Sequence, residues 1–434
     1  MISRPNVVFI TAHDVGRHLG CYGQTGVRTP ALDRLAQQGV RCDEAYCTTA
    51  MCSPSRASFV TGRYPHSHGV IGLVQDPFGW DLHNGETHLA AHLAAAGYDT
   101  ALAGLQHETR QADRHGLANR LCPQADADTV AAACEAFLVE HARPARPFYL
   151  QVGLFEPHRR GRAGFGDRPS DPDDRVVIPR WLRDDDGSRR EMAAFQAATT
   201  AMDRGVGRIM DALDQTGLAG STLVVFAADH GLPFPRAKAS LYDPGLEIAL
   251  LWRWPEGGFT ANEGLGLSVS GVDILPTIFD VLDLDAPAGV EGRYITRALR
   301  GQTMDERPIF AENNFTAYRD PMRAVRTKTR KLIVNFAATP AFYDTSQQWR
   351  PPTTPITPDD PRNAKHPVVE LYDLEADPIE TRNLADDPAY ANERLALLAD
   401  LAAWMRRTDD PLLDATPIEP RQATAARLLQ ESLA

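Results

Sequence analysis

No stretch of this chain approaches the roughly 20 consecutive apolar residues that a membrane-spanning helix needs, so no membrane span is expected. The opening Met1-Ile2-Ser3-Arg4-Pro5 runs straight into the apolar Asn6 to Thr11 without a basic leader region or cleavage site, which predicts a cytoplasmic protein. Cysteine is sparse. Cys21, Cys42, Cys47, Cys52, Cys122 and Cys134 are the six in 434 residues, and none forms a Cys-x-x-Cys pair. That pattern excludes a disulfide framework or zinc knuckle and predicts mostly reduced, buried thiols. Positive charge is short as well, and the formal net charge of -12 gives no long-range pull toward nucleic acid or anionic membrane. Small molecules are the expected partners, and an anionic one would need a local cationic pocket. Internal repeats are absent, and low complexity is confined to a Pro/Thr-rich connector from Trp349 to Pro367.

What is present is an apolar fraction of 43%, enough for a large core. Val7 to Ile10 and Thr222 to Ala227 are continuous β-branched and aromatic runs, the pattern of strands buried on both faces. Thr100 to Ala103, Phe148 to Gly153 and Ala249 to Trp252 are further strand candidates. Helical patterns over Pro30 to Gln38, His88 to Ala96 and Arg189 to Thr216 each stop at a glycine. Strands alternating with helices predict an α/β fold, a sheet covered on both faces. Arg159 to Asp186, rich in Arg, Asp, Gly and Pro, reads as a long surface excursion of the kind that forms lids. After Asn314 come short strands (Ala324 to Arg326, Lys331 to Phe336) and a terminal amphipathic helix from Tyr390 to Arg407. The expected division is therefore a catalytic unit over 1–314 and a smaller α+β unit over 315–434.

The two strongest strand candidates end alike, in His13-Asp14 and Asp229-His230. Carboxyl ends of strands line the ligand crevice of open α/β sheets, so the two pairs could face one another and hold a metal. One pair alone is more often a cap or turn. Cys52 opens a segment with Pro54 near its first turn and Gly62 at its stop, which places the thiol at the positive end of a helix with Arg56 one turn along. An inert buried cysteine fits that spacing equally well.

The string Cys52-Ser-Pro-Ser-Arg56-Ala-Ser-Phe-Val-Thr-Gly-Arg63 resembles the sulfatase signature, in which the cysteine is oxidised to formylglycine. Asn6 to Asp14, Thr29 to Ala36, and the later Leu371 to Leu374, Asp377-Pro378, Glu380 and Asn383-Leu384 are similar to the family's other hallmarks. Glu156-Pro157-His158-Arg159 and Pro233-Phe234-Pro235 look most like its sulfamidase branch, which acts on N-sulfated glucosamine. The resemblance implies an alkaline-phosphatase-like sheet with a smaller C-terminal subdomain, and a metal-dependent hydrolase of a small sulfate ester or sulfamate. It implies as partners a small anionic substrate and a formylglycine-generating maturation enzyme.

By the same resemblance, Asp14, Asp229 and His230 hold one divalent metal (Ca, Mn or Zn) together with residue 52, and so does His13, which stands where most relatives have an aspartate. Two histidines favour Mn or Zn. Arg56 would orient the nucleophile, Lys238 would contact sulfate, and His107 and His158 would stand near the leaving group. Each of these also has a bland reading as a surface or satisfied core residue. His66 and His68 read as turn residues. Leu105 departs from the family by replacing a sulfate-binding lysine, which keeps phosphonate or phosphate ester hydrolysis open as an alternative. A non-catalytic anion-binding protein is the reading if Cys52 is never oxidised.

Overall fold

Val7, Val8, Phe9 and Ile10 have no solvent exposure, as an apolar run without polar alternation requires of a strand covered on both faces. They belong to β1 (Asn6–Ala12), which lies inside an eight-stranded sheet in this computed structural model. The described residues are 4–143, 146–161, 164–166, 176–260, 264–316, 318–340, 364–414 and 416–433. The other strands of the large sheet are β2 (Val40–Tyr46), β3 (Asp99–Gly104), β4 (Arg120–Cys122), β5 (Phe148–Leu154), β6 (Thr222–Ala228), β7 (Leu250–Arg253) and β8 (Leu265–Ser270). Their order is β4-β3-β5-β1-β6-β7-β2-β8. The block from β4 to β6 is parallel, while β7 runs antiparallel to both β6 and β2. Strands β1, β5 and β6 are buried along their whole length. At such positions a Phe226→Ala change would cost about 3–5 kcal/mol in lost burial and cavity.

The helices fall where the periodicity placed them, with shifts set by caps. Pro30–Gln38 matches its expected span. The long helix runs Asp186–Gln215, starting earlier than Arg189 because the Asp185 carboxylate accepts the Ser188 N–H at 2.8 Å. The helix expected from His88 is Leu89–Ala95, with His88 outside it as the cap.

A four-stranded antiparallel sheet, β9 (Ile309–Phe315), β10 (Arg319–Arg326), β11 (Arg330–Asn335) and β12 (Val369–Asp373), has the order β12-β11-β10-β9. Its first strand straddles residue 314, the expected division of the chain. The helix Ala391–Arg407 lays Leu397, Leu401, Trp404 and Met405 into a second apolar cluster with Leu332, Val334 and Phe336. This helix is not the terminal one, as had been expected: Pro420–Glu431 follows it and adds Ala425 and Leu429 to the same cluster. All six cysteines are free thiols, five of them buried. Among the described residues no helix is long and apolar enough to cross a membrane. Most of the Trp349 to Pro367 connector lies outside the described residues.

Candidate active site

Four neighbouring parallel strands deliver side chains to one edge of the large sheet. Ala12 of β1 is in register with Ala228 of β6 and Leu154 of β5, and Gly104 of β3 with Gly153. The segments that follow these strands carry His13-Asp14, Asp229-His230, His158 and His107 respectively. The two His/Asp pairs thus emerge side by side from adjacent strands, and their side chains converge, His13 Nδ1 on Asp229 and His230 Nε2 on Asp14, both at 3.0 Å. Asp14 takes a left-handed backbone (φ 57°), a conformation that aspartate tolerates better than most residues. Its N–H donates to Asp229 Oδ1 at 2.8 Å, and the His230 N–H donates to the same oxygen at 2.9 Å.

Cys52 is the first residue of the helix Cys52–Thr61, which ends on the left-handed Gly62 (φ 68°). The thiol is 2% exposed. Its Sγ lies 3.3 Å from His230 Nε2, 3.4 Å from Lys238 Nζ and 3.9 Å from Asp14 Oδ1. Lys238 also donates to both oxygens of Asp14, at 2.8 and 3.0 Å. Two left-handed non-glycine residues, Arg236 (φ 71°) and Ala239 (φ 66°), flank this lysine. Such strain persists only where surrounding contacts fix it. Here the Ala239 N–H donates to the Ala50 carbonyl at 2.9 Å, and the Arg236 guanidinium donates to the carbonyls of Ile379 and Glu380.

Arg56 is fully buried and turned toward Asp229, not the thiol. Its Nε donates to Asp229 Oδ2 and its Nη1 to Thr11 Oγ1, both at 3.0 Å, while buried Nη2 has no hydrogen-bond partner among the described residues. His13 Nδ1 lies 3.0 Å from Asp229 Oδ2, yet neither nitrogen of this buried ring makes an aligned hydrogen bond among the described residues. His158 Nδ1 lies 2.7 Å from the Arg159 carbonyl, and its Nε2 3.8 Å from Asp14 Oδ2.

The charges reinforce one another. Burial opposes ionisation of Asp14, but Lys238, His158 and His230 hold its carboxyl well below the usual range. Asp229 is held low against burial by His230, His13 and Arg56. The Cys52 thiol, despite burial, is held well below its ordinary value by Lys238 and His230. Burial lowers His230 less than Asp229, Cys52 and Asp14 raise it, and it is pushed up to about 10. His107, by contrast, is pushed down by burial. The donors gather in two overlapping sets, Asp14, Cys52, Asp229 and His230, and His13, Asp14, Cys52 and His158. Within each set the ligand atoms lie within 4.8 Å of one another, a spacing a metal ion can close.

Every residue expected at the site is therefore brought to it, with Arg56 acting on Asp229. His66 and His68 stand outside: His66 pairs with Glu312, and His68 is buried against Ser58. The sequence did not point to Gln75, whose Oε1 lies 2.5 Å from His107 Nε2, or to Met51 and Leu73, which line the same cleft with Pro233. Gln75 sits in an irregular segment with no periodicity and no motif. Arg159, which also lines the cleft, pairs with Glu191 and lies over the rings of Phe165 and Phe234. Arg160 pairs with Glu156.

A family model described as Sulfatase matches residues 5–284. N-sulphoglucosamine sulphohydrolase of Homo sapiens is 28% identical, over 94% of this chain and 91% of that protein. The solved structure of a 2-O GAG sulfatase superposes with a TM-score of 0.73 at 21% identity, covering 97% of this chain and 96% of the other. Phosphonate monoester hydrolase of Agrobacterium radiobacter gives a TM-score of 0.70 at 21% identity, covering 93% and 96%.

Proposed function

Because this chain belongs to the sulfatase family, whose members hydrolyse sulfate esters or sulfamates, we propose that its substrate is a small, N-sulfated-sugar-like compound and that residue 52 is the nucleophile. The observation that carries this is the placement of Cys52 Sγ at a helix N-terminus, 3.3 to 3.9 Å from His230, Lys238 and Asp14. That sulfur stands in for an oxygen of the hydrated formylglycine that residue 52 would carry after maturation, a group that would supply one hydroxyl as the nucleophile and a second for release of sulfate.

The donor set fits a divalent cation: two ionised carboxylates, an imidazole and residue 52 in one cluster, with the buried His13 beside it and neither of its nitrogens in an aligned hydrogen bond among the described residues. Asp14, Asp229 and His230 would hold it, and when bound it would lower the pKa of the attacking hydroxyl and draw charge from the sulfuryl oxygens. Arg56 fixes the Asp229 carboxylate. Lys238, 3.4 Å from the nucleophile position, offers a cation to the sulfuryl group. The Gln75 carbonyl oxygen accepts the His107 Nε2–H, which leaves Nδ1 as the lone pair that takes a proton from the second hydroxyl of residue 52. His158 donates its Nδ1–H to the Arg159 carbonyl, so its Nε2 is the atom that delivers a proton to the departing nitrogen or oxygen.

Leu105 supports a second reading, phosphonate or phosphate ester hydrolysis, because one cation fewer surrounds the tetrahedral anion than in relatives with a lysine there. Parallel turnover of an aryl sulfate, glucosamine N-sulfate and an aryl phosphonate ester, by protein from a host competent in cysteine maturation, tests the order. The sulfamate or sulfate should turn over fastest, with an intact mass about 18 Da below that of the thiol form. Faster cleavage of the phosphonate reverses the assignment. An unmodified, inactive protein from such a host supports an anion-binding role instead.

A further inference from the structure

Lys238 reaches the cleft from a loop that is anchored outside it. Residues 231–245 follow β6 and close on themselves, the Gly231 N–H donating to the Gly245 carbonyl at 2.8 Å. A Cβ on Gly231 would stand 1.8 Å from the Pro244 carbonyl oxygen, and one on Gly245 2.2 Å from that of Ala237, so glycine is what lets the two arms pack this closely. Beyond that neck the loop is tied to the small sheet. The Tyr242 hydroxyl donates to Glu370 of β12 at 2.8 Å. The Arg236 guanidinium lies 4.5 Å from the centre of the Tyr242 ring and donates to the carbonyls of Ile379 and Glu380, in the segment that follows β12. Arg236 and Ala239 both take left-handed backbones, which other contacts must hold in place. On the cleft side the lysine's own N–H donates to the Leu232 carbonyl at 3.1 Å, and the Ala239 N–H to Ala50.

We propose that Arg236 is a positioning residue for the anion site: by fastening its loop to residues 379 and 380 it aims the Lys238 ammonium at residue 52. The C-terminal unit thereby takes part in binding the sulfuryl group without touching it. The inference rests on the hydrolase reading above, in which Lys238 is the cation that meets that group. Lysine carries its charge on a long flexible stem, so the placement of its backbone decides whether the ammonium stands 3.4 Å from the nucleophile position or swings away from it. Arginine suits the tether, because its planar fork bonds two successive carbonyls at once where an ammonium would be a single point charge. Arg236 is not among the residues that line the cleft, so its effect on an anion there passes through the lysine.

Orthovanadate is the probe, titrated calorimetrically into the matured holoenzyme so that no turnover is needed. Arg236→Ala should weaken its binding by about 10-fold, most of what Lys238→Ala removes, because a misplaced cation serves little better than a missing one. In a Lys238→Ala background the same change should alter binding by less than about 2-fold, since a residue that acts through the lysine has nothing left to act on. Arg236→Gly is the second variant: glycine adopts the left-handed backbone without strain, so it should keep the fold and still bind vanadate as weakly as Arg236→Ala. If both variants bind like the parent while Lys238→Ala does not, the positioning role is overturned and the hydrolase reading stands. Equal weakening with and without the lysine also overturns it, as a general loss of the site. Failure of both variants to fold assigns Arg236 to the fold alone. Undiminished binding by Lys238→Ala removes the lysine's anion role, and with it the ground of the inference.

Discussion

Asp229 ties four other residues of the site together. It accepts from Asp14, His230 and Arg56, and His13 lies against it. Asp229→Asn should therefore lose metal and also destabilise the fold by about 3–5 kcal/mol, because Arg56 would be left buried without its counter-charge. Elemental analysis and urea unfolding check the two effects separately. Cys52→Ala should abolish turnover while leaving the urea midpoint within error, since it removes one sulfur from the cleft wall. Lys238→Ala should weaken inhibition by sulfate and vanadate about 10-fold or more in inhibition constant, and equal inhibition by both would remove its anion role. At this scale the motif residues were legible because their neighbours in sequence are their neighbours in the turn. The Arg56 to Asp229 pair spans 173 residues, and no local pattern reports it. Gln75 was invisible for the same reason, since only the folded chain brings it to His107.

The elements were legible where periodicity was strong. β1, β5 and β6 declared themselves as apolar runs, and the long helix as a 3.6-residue stripe ending near Gly217. The helix Pro420–Glu431 was missed because its buried face is Gln422, Ala425, Ala426 and Leu429, small or polar residues that write a faint stripe. Contacts between the small sheet and the segment after β6 were equally hidden. Arg326 of β10 donates to Asp243 at 3.0 to 3.2 Å, Lys331 of β11 pairs with the same carboxylate, and Lys331 Nζ lies 2.7 Å from Glu380 Oε1. Glu380 also accepts the Asp243 N–H at 2.7 Å, and burial pushes its carboxyl up to about 7. Removing one member of such a buried set strands the others. Arg326→Met is expected to cost about 3–5 kcal/mol, read as a lowered urea midpoint, with metal content unchanged in protein that remains folded.

Across the whole molecule, buried neutral histidines set the acid limit. Burial pushes His68 and His88 down to about 3 and His18 to about 4. Two of them spend a ring lone pair inside the fold: Val70 N–H donates to His68 Nδ1 at 3.1 Å, and Ala90 N–H to His88 Nδ1 at 2.9 Å. The unfolded chain titrates its histidines near 6.5 and binds more protons below that value. Stability is thus complete above about pH 6.5 and lost as pH falls toward 3 to 4, by about 1.4 kcal/mol per pH unit for each histidine in that window. His88→Asn should keep the helix cap and flatten the slope between pH 6 and 4 by that amount. Urea unfolding at several pH values measures it, and an unchanged slope would exclude His88.

The sheet order also sets a timetable for synthesis. The strand beside β1 that carries Asp229 and His230 is made some 178 residues after the thiol (230 less 52). At about 5–20 residues per second the ribosome leaves that cysteine unroofed for about 10 to 35 s. The oxidation proposed above has its widest access to the thiol in that interval, since in the finished chain Cys52 lies at the floor of the cleft and is almost wholly covered. The lysine loop waits longer still, since the carbonyls that clasp Arg236 belong to residues 379 and 380.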